Sequence, residues 1–202
     1  MNKVHSIILI IGVILLVGVF SAPVNGRMRL PSDTPDSKIM HMHPKYIDAS
    51  LLPLDSIEDL HTTGSPQKVD INTWQLEVSG RMVKNPRSLT YQDLLQMEMV
   101  NKKVILICPA FFVDYAEWEG VPLSTILEAL GVKDNYEKIT FRGLDGYSSS
   151  FSRDEAEHNL LFLALRVNGK IIPEEHGFPV RLVAEDILGG RWVKWIKSIK
   201  VK

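Results

Sequence analysis

The sequence from residue 176 to residue 202 reads HGFPVRLVAEDILGGRWVKWIKSIKVK, and this stretch decides the fold. Residues 179–183 form a short apolar run that is typical of a buried strand. After the glycines and tryptophans of residues 189–195, Ile199 and Val201 alternate with polar neighbours, which is the period of a half-buried strand. The stretch therefore predicts two strands joined by a glycine-containing turn, with Arg181 on the first strand and Lys194 in the tail from Trp192 that forms the second.

Working back from this stretch, the chain predicts short helices among many strands. Alternating Trp74, Leu76 and Val78 predict a strand, and Thr90 and Ser152 each stand three residues before an acidic residue, the spacing of a helix-opening capping box. Apolar runs and Asp-Gly or Asn-Gly turns predict the remaining elements: strands at 104–107, 139–142, 147–151, 160–167 and 170–172, and helices at 91–97, 122–130 and after Ser152. The pattern predicts an α+β domain with a mixed sheet and short helices over residues 71–202.

Composition sets few limits on function, but it does exclude some classes. The chain has 202 residues, 45% of them hydrophobic and 23% charged, with a formal net charge of −1. This balance is that of an ordinary globular domain. Since the sequence contains no basic run, a nucleic-acid partner is not expected.

The first 70 residues are expected to lie outside the domain. An apolar run of 14 residues at positions 7–20 follows Lys3, and small residues precede Arg27, as in a cleaved signal peptide. The run is short for a membrane span, which needs about 20 apolar residues, yet an uncleaved anchor through residues 6–24 remains open. Residues 1–26 are thus interpreted as a signal peptide or membrane anchor that exports the chain, and residues 27–70 as a proline-rich linker.

Cys108 is the chain's one cysteine. An internal disulfide, a zinc site with paired cysteines and covalent c-type haem attachment are therefore excluded. Cys108 stands at the end of a predicted strand, and Pro109 stops that strand because proline cannot donate to a sheet. The residue alone leaves two interpretations: a small buried apolar side chain, or a thiolate ligand on a rigid support.

Several motifs occur in one order along the chain: WQLEVSG at 74–80, NPRSLTYQDL at 85–94, Cys108 followed by WEGVPL at 118–123, DGY at 145–147, HGFPVRLV at 176–183 and GGRWVKWI at 189–196. Together they resemble the oxidoreductase molybdopterin-binding family, which has the sulfite-oxidase-type fold. The resemblance covers residue 74 to the end of the sequence. In size, the chain is similar to the minimal, methionine-sulfoxide-reductase-like branch.

The resemblance implies a molybdenum-pterin cofactor and assigns residues to it. Cys108 would be the metal ligand and a catalytic residue, because a soft thiolate suits this metal. His176, Arg181 and Lys194 match positions that contact the pterin in the family. Cationic donors suit a ligand with a phosphate and many polar ring edges, and Gly190 would let the backbone approach it.

The DGY turn supplies two further candidates. The Asp145 carboxylate serves the turn and is also able to accept a pterin N–H. Tyr147 is predicted as a second catalytic residue if its hydroxyl points into the pocket, although an ordinary strand tyrosine fits the sequence equally well.

The chain departs from sulfite oxidases in two places. Residues 61–66 contain no arginine, which sulfite oxidases use for their anionic substrate, and residues 109–113 are apolar. A neutral or apolar small-molecule substrate is therefore expected. The leading hypothesis is an exported oxidoreductase that transfers an oxygen atom to or from this substrate and exchanges electrons with a separate membrane or soluble electron-transfer protein. The alternative, motivated also by the lack of a twin-arginine signal, is a non-catalytic ligand-binding module that kept the fold without molybdenum.

Overall fold

A computed structural model describes residues 26–158 and 160–202 of the chain. The predicted signal peptide or anchor, residues 1–26, lies outside the described residues except for Gly26. The strands are β1 Met28–Arg29, β2 Ile47–Asp48, β3 Gln75–Ser79, β4 Arg87–Thr90, β5 Val100–Cys108, β6 Phe112–Pro122, β7 Lys138–Gly143, β8 Ser148–Ser152, β9 Leu161–Val167, β10 Lys170–Ile171, β11 Arg181–Ala184 and β12 Ile196–Val201. The helices are α1 Asp36–Ile39, α2 Tyr91–Leu95, α3 Leu123–Ala129 and α4 Arg153–His158.

One five-stranded sheet contains the long hairpin of β5 and β6. These strands pair in antiparallel register from Val100 opposite Gly120 to Cys108 opposite Phe112. β6 also pairs with β9, and β9 pairs with β10 and β11. Three residues connect β5 to β6, and Ala110 among them has a left-handed φ of 62°. The predicted end of β5 at Cys108 is confirmed, whereas β6 was not predicted.

The second five-stranded sheet has the order β4-β3-β12-β7-β8. The strand β12 runs parallel to β3 and antiparallel to β7, so it lies between the domain's first strand and the β7–β8 hairpin. Ile199 and Val201 are buried, as their alternation predicts. The two sheets share one apolar core.

Both predicted capping boxes form. The Thr90 hydroxyl accepts the Asp93 N–H at 3.1 Å, while the Asp93 carboxylate accepts the Thr90 N–H at 2.8 Å. Ser152 and Glu155 make the same reciprocal bonds ahead of α4. The helix predicted over 91–97 ends two residues earlier, at Leu95.

The segment that the sequence analysis describes as a linker packs on the domain over much of its length. β1 and β2 form a small parallel pair, and α1 lies between them in sequence. An outer cluster joins Leu30, Ile39 and Ile47 of this segment to residues of the β5–β6 hairpin, namely Ile105, Ile107, Val113 and Tyr115. Because residues 104–107 are buried on both faces of β5, one face requires a cover, and this segment provides it. Among the described residues, no helix has the length and apolar character needed to cross a membrane.

Candidate functional site

A cavity of about 310 Å³ lies where the end of β5, the DGY turn and the turn before β12 come together. It contains six of the seven residues predicted for the site: Cys108, Asp145, Tyr147, Arg181, Gly190 and Lys194. Residues that the sequence analysis did not assign to the site also line it, including His61, Asp114, Phe112, Trp192 and Trp195. Motifs that are far apart in the sequence therefore lie around one cavity.

Cys108 reaches this cavity from the last position of β5, where it is partly buried. Burial and, to a lesser extent, the negative charge of Asp114 raise the pKa of its thiol. The thiol therefore keeps its proton until a metal displaces it. No group of three His, Cys, Asp or Glu side chains able to hold a metal occurs in the described part of the chain. A metal at Cys108 would thus need most of its ligands from a cofactor.

Arg181 is the most unusual charge in the cavity. Its side chain is buried, with the residue only 5% exposed, and the guanidinium lies 4.6 Å from the ring centre of Trp118 and 5.4 Å from that of Trp192. One nitrogen, Nη1, donates to the His176 carbonyl at 3.1 Å, while Nε has no hydrogen-bond partner among the described residues. Burial lowers the pKa of Arg181 to about 10.

Lys194 brings a second cation close to Arg181. Its Nζ donates to the carbonyls of Thr63 and Glu175 at 2.8 and 2.9 Å, and the residue is 9% exposed. Burial and the charge of Arg181 lower its pKa to about 8. Gly177 permits this crowding: at φ 115°, a Cβ there would stand 3.0 Å from the Cβ of Arg181 and 3.2 Å from that of Lys194.

His176 is buried and is not among the residues that line the cavity. Burial, followed by the charges of Arg181 and Lys194, lowers its pKa, and its ring hydrogen-bonds the backbone of Ile57. The contact with Arg181 is made by the His176 backbone carbonyl. In this arrangement His176 supports the position of Arg181.

The DGY turn and the 3-10 turn at Gly189–Arg191 form one wall of the cavity. The Tyr147 hydroxyl donates to the Gly190 carbonyl, and the Tyr147 N–H donates to the Asp145 carboxylate at 2.9 Å. A Cβ built on Gly190 would meet nothing within 4 Å, so the backbone here is open to a ligand. Arg191 anchors the turn through Glu155.

His61 and Asp114 were missed by sequence reasoning. The Asp114 carboxylate accepts the His61 backbone N–H at 3.1 Å and lies 2.8 Å from the imidazole Nδ1. The His61 ring also stacks on Phe112, with the ring centres 4.6 Å apart. A charged residue in the middle of the apolar sequence FFVDY was the available signal, but β6 was not predicted.

The donor set fits a molybdopterin-type group. A buried guanidinium with an unused N–H, a neighbouring ammonium and an open glycine backbone suit an anionic ligand with many acceptors. A partly buried thiol facing the same cavity suits a soft metal. The fit rests on the positive charges of Arg181 and Lys194. Among the described residues, these two side chains donate to backbone carbonyls and not to carboxylates.

Comparison with known proteins gives the same result. The family model described as "Oxidoreductase molybdopterin binding domain" matches residues 62–202. A protein of Azospira oryzae named as a protein-methionine-sulfoxide reductase subunit, YedZ1, is 29% identical over 135 residues, which is 67% of this chain and 51% of that protein. The NADPH nitrate reductase of Phytophthora infestans is 28% identical over 188 residues, 78% of this chain. The chain spans 20% of that reductase's length.

Among solved structures, the sulfane dehydrogenase SoxCD of Paracoccus pantotrophus superimposes with a TM-score of 0.62 at 20% identity. The match covers 95% of this chain and 56% of that one. This likeness confirms the predicted α+β, sulfite-oxidase-type fold. Together with the family match over residues 62–202, it establishes that the chain belongs to the oxidoreductase molybdopterin binding domain family, whose cofactor is of the molybdopterin type.

Proposed function

We propose that this chain is an exported molybdenum-pterin oxidoreductase that moves an oxygen atom to or from a small substrate. The observation that carries the proposal is the buried Arg181 guanidinium, which lines the same cavity as Cys108 and donates no hydrogen bond to a carboxylate among the described residues. An unpaired buried charge is costly, so a ligand that supplies the missing anion accounts for it.

In this proposal the predicted site residues have separate tasks. Cys108 binds the metal as a thiolate, Arg181 and Lys194 bind acidic and polar edges of the pterin group, and His176 holds Arg181 in place. Gly190 lets the group approach the backbone, and Asp145 accepts a pterin N–H. The bound cofactor supplies the exchange of an oxygen atom and two electrons.

The substrate is proposed to be neutral, with a sulfoxide as the first candidate. The hairpin tip beside Cys108 carries Phe111, which is 78% exposed, and Phe112 lines the cavity. Tyr147, predicted to be catalytic, is half-exposed and also lines the cavity, where its ring would contact a substrate. An apolar rim favours a small neutral molecule over an anion such as nitrate.

The proposal includes export through residues 1–26 and a separate electron-transfer protein. Each oxygen transfer moves two electrons, which must be delivered or removed before the next cycle. The relatives support an oxidoreductase role, while export, substrate and electron partner are this proposal's own additions.

The test is to express the full chain in a cell that makes the cofactor and to measure molybdenum and pterin in the purified protein. We expect about one molybdenum per chain and its loss in Cys108→Ser, with reduction of methionine sulfoxide by reduced benzyl viologen. Absence of both molybdenum and pterin from well-folded protein would contradict the proposal.

The alternative is a non-catalytic module that binds an anionic ligand through the same cations. Arg181 and Lys194 are the observation in its favour, because two cations that line one cavity can bind an anion whether or not Cys108 holds a metal. Ligand binding that depends on Arg181 but is unchanged in Cys108→Ser, without turnover, would favour this alternative.

A further inference from the structure

We propose that His61 and Asp114 form a proton-transfer pair that serves the reaction in this cavity. The inference rests on the proposed function and adds to it a group for the protons. Among the described residues, the pair combines a buried carboxylate with a half-exposed imidazole on the cavity wall.

The orientation of the His61 ring suits proton transfer. Both the backbone N–H and the Nδ1 atom of His61 lie within hydrogen-bond distance of the same Asp114 oxygen, at 3.1 and 2.8 Å. A carboxylate acceptor places the ring proton on Nδ1 and leaves Nε2 to exchange a proton elsewhere. Stacking at 12° on Phe112 fixes the plane of the ring. No partner of Nε2 lies within the part of the chain that the structure describes.

The position of His61 at the cavity also suits this role. Phe112 is opposite Cys108 in the β5–β6 register, and Asp114, two residues further along β6, lies on the same face of the strand. His61 stacks on Phe112, and the imidazole and the Cys108 thiol line the same cavity. Its side chain is half exposed whereas that of Asp114 is 7% exposed, which gives the imidazole access to both the cavity and bulk water.

The stoichiometry of the proposed reaction requires a group that transfers protons. Reduction of an oxidised substrate, XO + 2 H⁺ + 2 e⁻ → X + H₂O, consumes two protons, and the reverse reaction releases two. The electrons come from the external electron-transfer protein. His61 Nε2 donates a proton to the oxygen that leaves as water and recovers a proton from solvent, twice in each cycle; in the reverse direction, it accepts the protons.

Other charged and titratable groups also face this cavity, and they contribute to any pH dependence. They come from β5, β6, the DGY turn, β11 and the turn before β12: Cys108, Asp114, Asp145, Tyr147, Arg181 and Lys194. Of these, Asp114 is the group that contacts His61 directly. Substitution of His61 alone therefore isolates its contribution.

The test compares His61→Gln with a matched control, His158→Gln. His158 also pairs with an aspartate, Asp154, at 3.1 Å, but on α4 and not in this cavity. Glutamine keeps a polar side chain of similar reach and cannot carry a proton. In cofactor-loaded full chain, reduced beforehand, we expect His61→Gln to slow a single turnover of methionine sulfoxide about 100-fold, the usual scale of acid–base catalysis. Added imidazole should restore part of the rate, and His158→Gln should behave as wild type.

Two readouts do not depend on activity. Molybdenum and pterin contents should be equal in wild type and His61→Gln, because a residue that only binds the cofactor would lower them. In empty protein labelled with ¹⁵N-histidine, NMR should show the His61 proton on Nδ1.

Each contrary result has a distinct meaning. A loaded His61→Gln variant with wild-type rate and pH profile overturns the proton-transfer role, as do lowered cofactor content or a proton found on Nε2. Wild-type protein that takes up neither molybdenum nor pterin overturns the proposed function, and the present inference with it.

Discussion

Two regions of the molecule carry arginines in partly or fully buried places, and they treat the charge differently. On the outer cluster that covers β5, Arg29 pairs with Asp48 at 2.9 Å and Arg27 pairs with Asp186. In the cavity, Arg181 is more deeply buried and bonds a carbonyl rather than a carboxylate. Each outer arginine makes an ion pair with a carboxylate, whereas Arg181 makes none with the residues that the structure describes.

The pKa values express the same difference. Hydrogen bonds from Ser50 and Arg29 lower the pKa of Asp48 to about 2, as expected for a stabilised ion pair. Burial lowers the pKa of Arg181 to about 10 and that of Lys194 to about 8, as expected for cations whose charge the fold disfavours. In the proposed function, binding of an anionic group in this cavity would offset the cost of burying these two cations.

The largest expected effect comes from replacing one arginine in each region. Because hydrogen bonds to charged groups contribute about 1.5–3 kcal/mol, Arg181→Met should weaken pterin retention roughly 10- to 100-fold, without lowering the unfolding free energy of the empty protein. Arg29→Met should leave pterin content unchanged and lower stability by less than about 1 kcal/mol. Pterin content by fluorescence and urea unfolding of both variants measure these effects. Equal pterin retention in the two variants would remove the distinction between the regions.

The stability of the empty protein is also expected to depend on pH through Lys194. The folded pKa of Lys194, about 8, lies below its ordinary value of 10.5, so the unfolded chain binds more protons between these values. The stability of the empty protein should thus rise with pH across this window and carry the full penalty below pH 8. We expect a contribution on the order of 3 kcal/mol, seen as the difference between wild type and Lys194→Met in how the free energy of urea unfolding changes with pH. If stability changed with pH in the same way in wild type and in Lys194→Met, burial would not be lowering the pKa of Lys194.

The smallest expected effect concerns the ion pair of Arg191 and Glu155, which anchors the Gly189–Arg191 turn. Arg191, above all, lowers the pKa of Glu155 to about 2 from an ordinary 4.5. The stabilisation from this group is present above pH 4.5 and is lost as the pH falls through 2. Since the Glu155 side chain is 37% exposed, solvent screens the pair, and Glu155→Gln should cost less than about 1 kcal/mol near neutral pH. Thermal unfolding at neutral and strongly acidic pH measures it; a loss that persists at the acidic end would assign the effect to the capping bonds.

The residues that sequence reasoning found are those whose signals are local. Arg181, Lys194 and Gly190 stand within one 21-residue stretch, residues 176–196, and their motif carries its own turn and strand pattern. Both capping boxes and the β12 alternation are likewise readable from neighbours in sequence.

The missed residues depend on contacts between distant parts of the chain. His61 and Asp114 are 53 positions apart, and the β6 sequence mixes charged and apolar residues because parts of both its faces are covered. The prolines of residues 27–70 suggested a linker, yet Leu30, Ile39 and Ile47 pack on the domain from or beside elements of two to four residues, which are too short to show a period in the sequence. Partners across the fold decide these positions, and a single sequence does not display them.

The central place of β12 has a consequence for biosynthesis. Ser198 pairs with Glu77, 121 positions earlier, so β3 cannot acquire this neighbour until residues 196–201 have left the ribosome. Such distant pairing forms late and slowly compared with local structure. Lys194 lies just ahead of β12, so the backbone that places it is fixed only when β12 has paired. A cofactor site that uses Lys194, as proposed, is therefore complete only in the fully paired sheet.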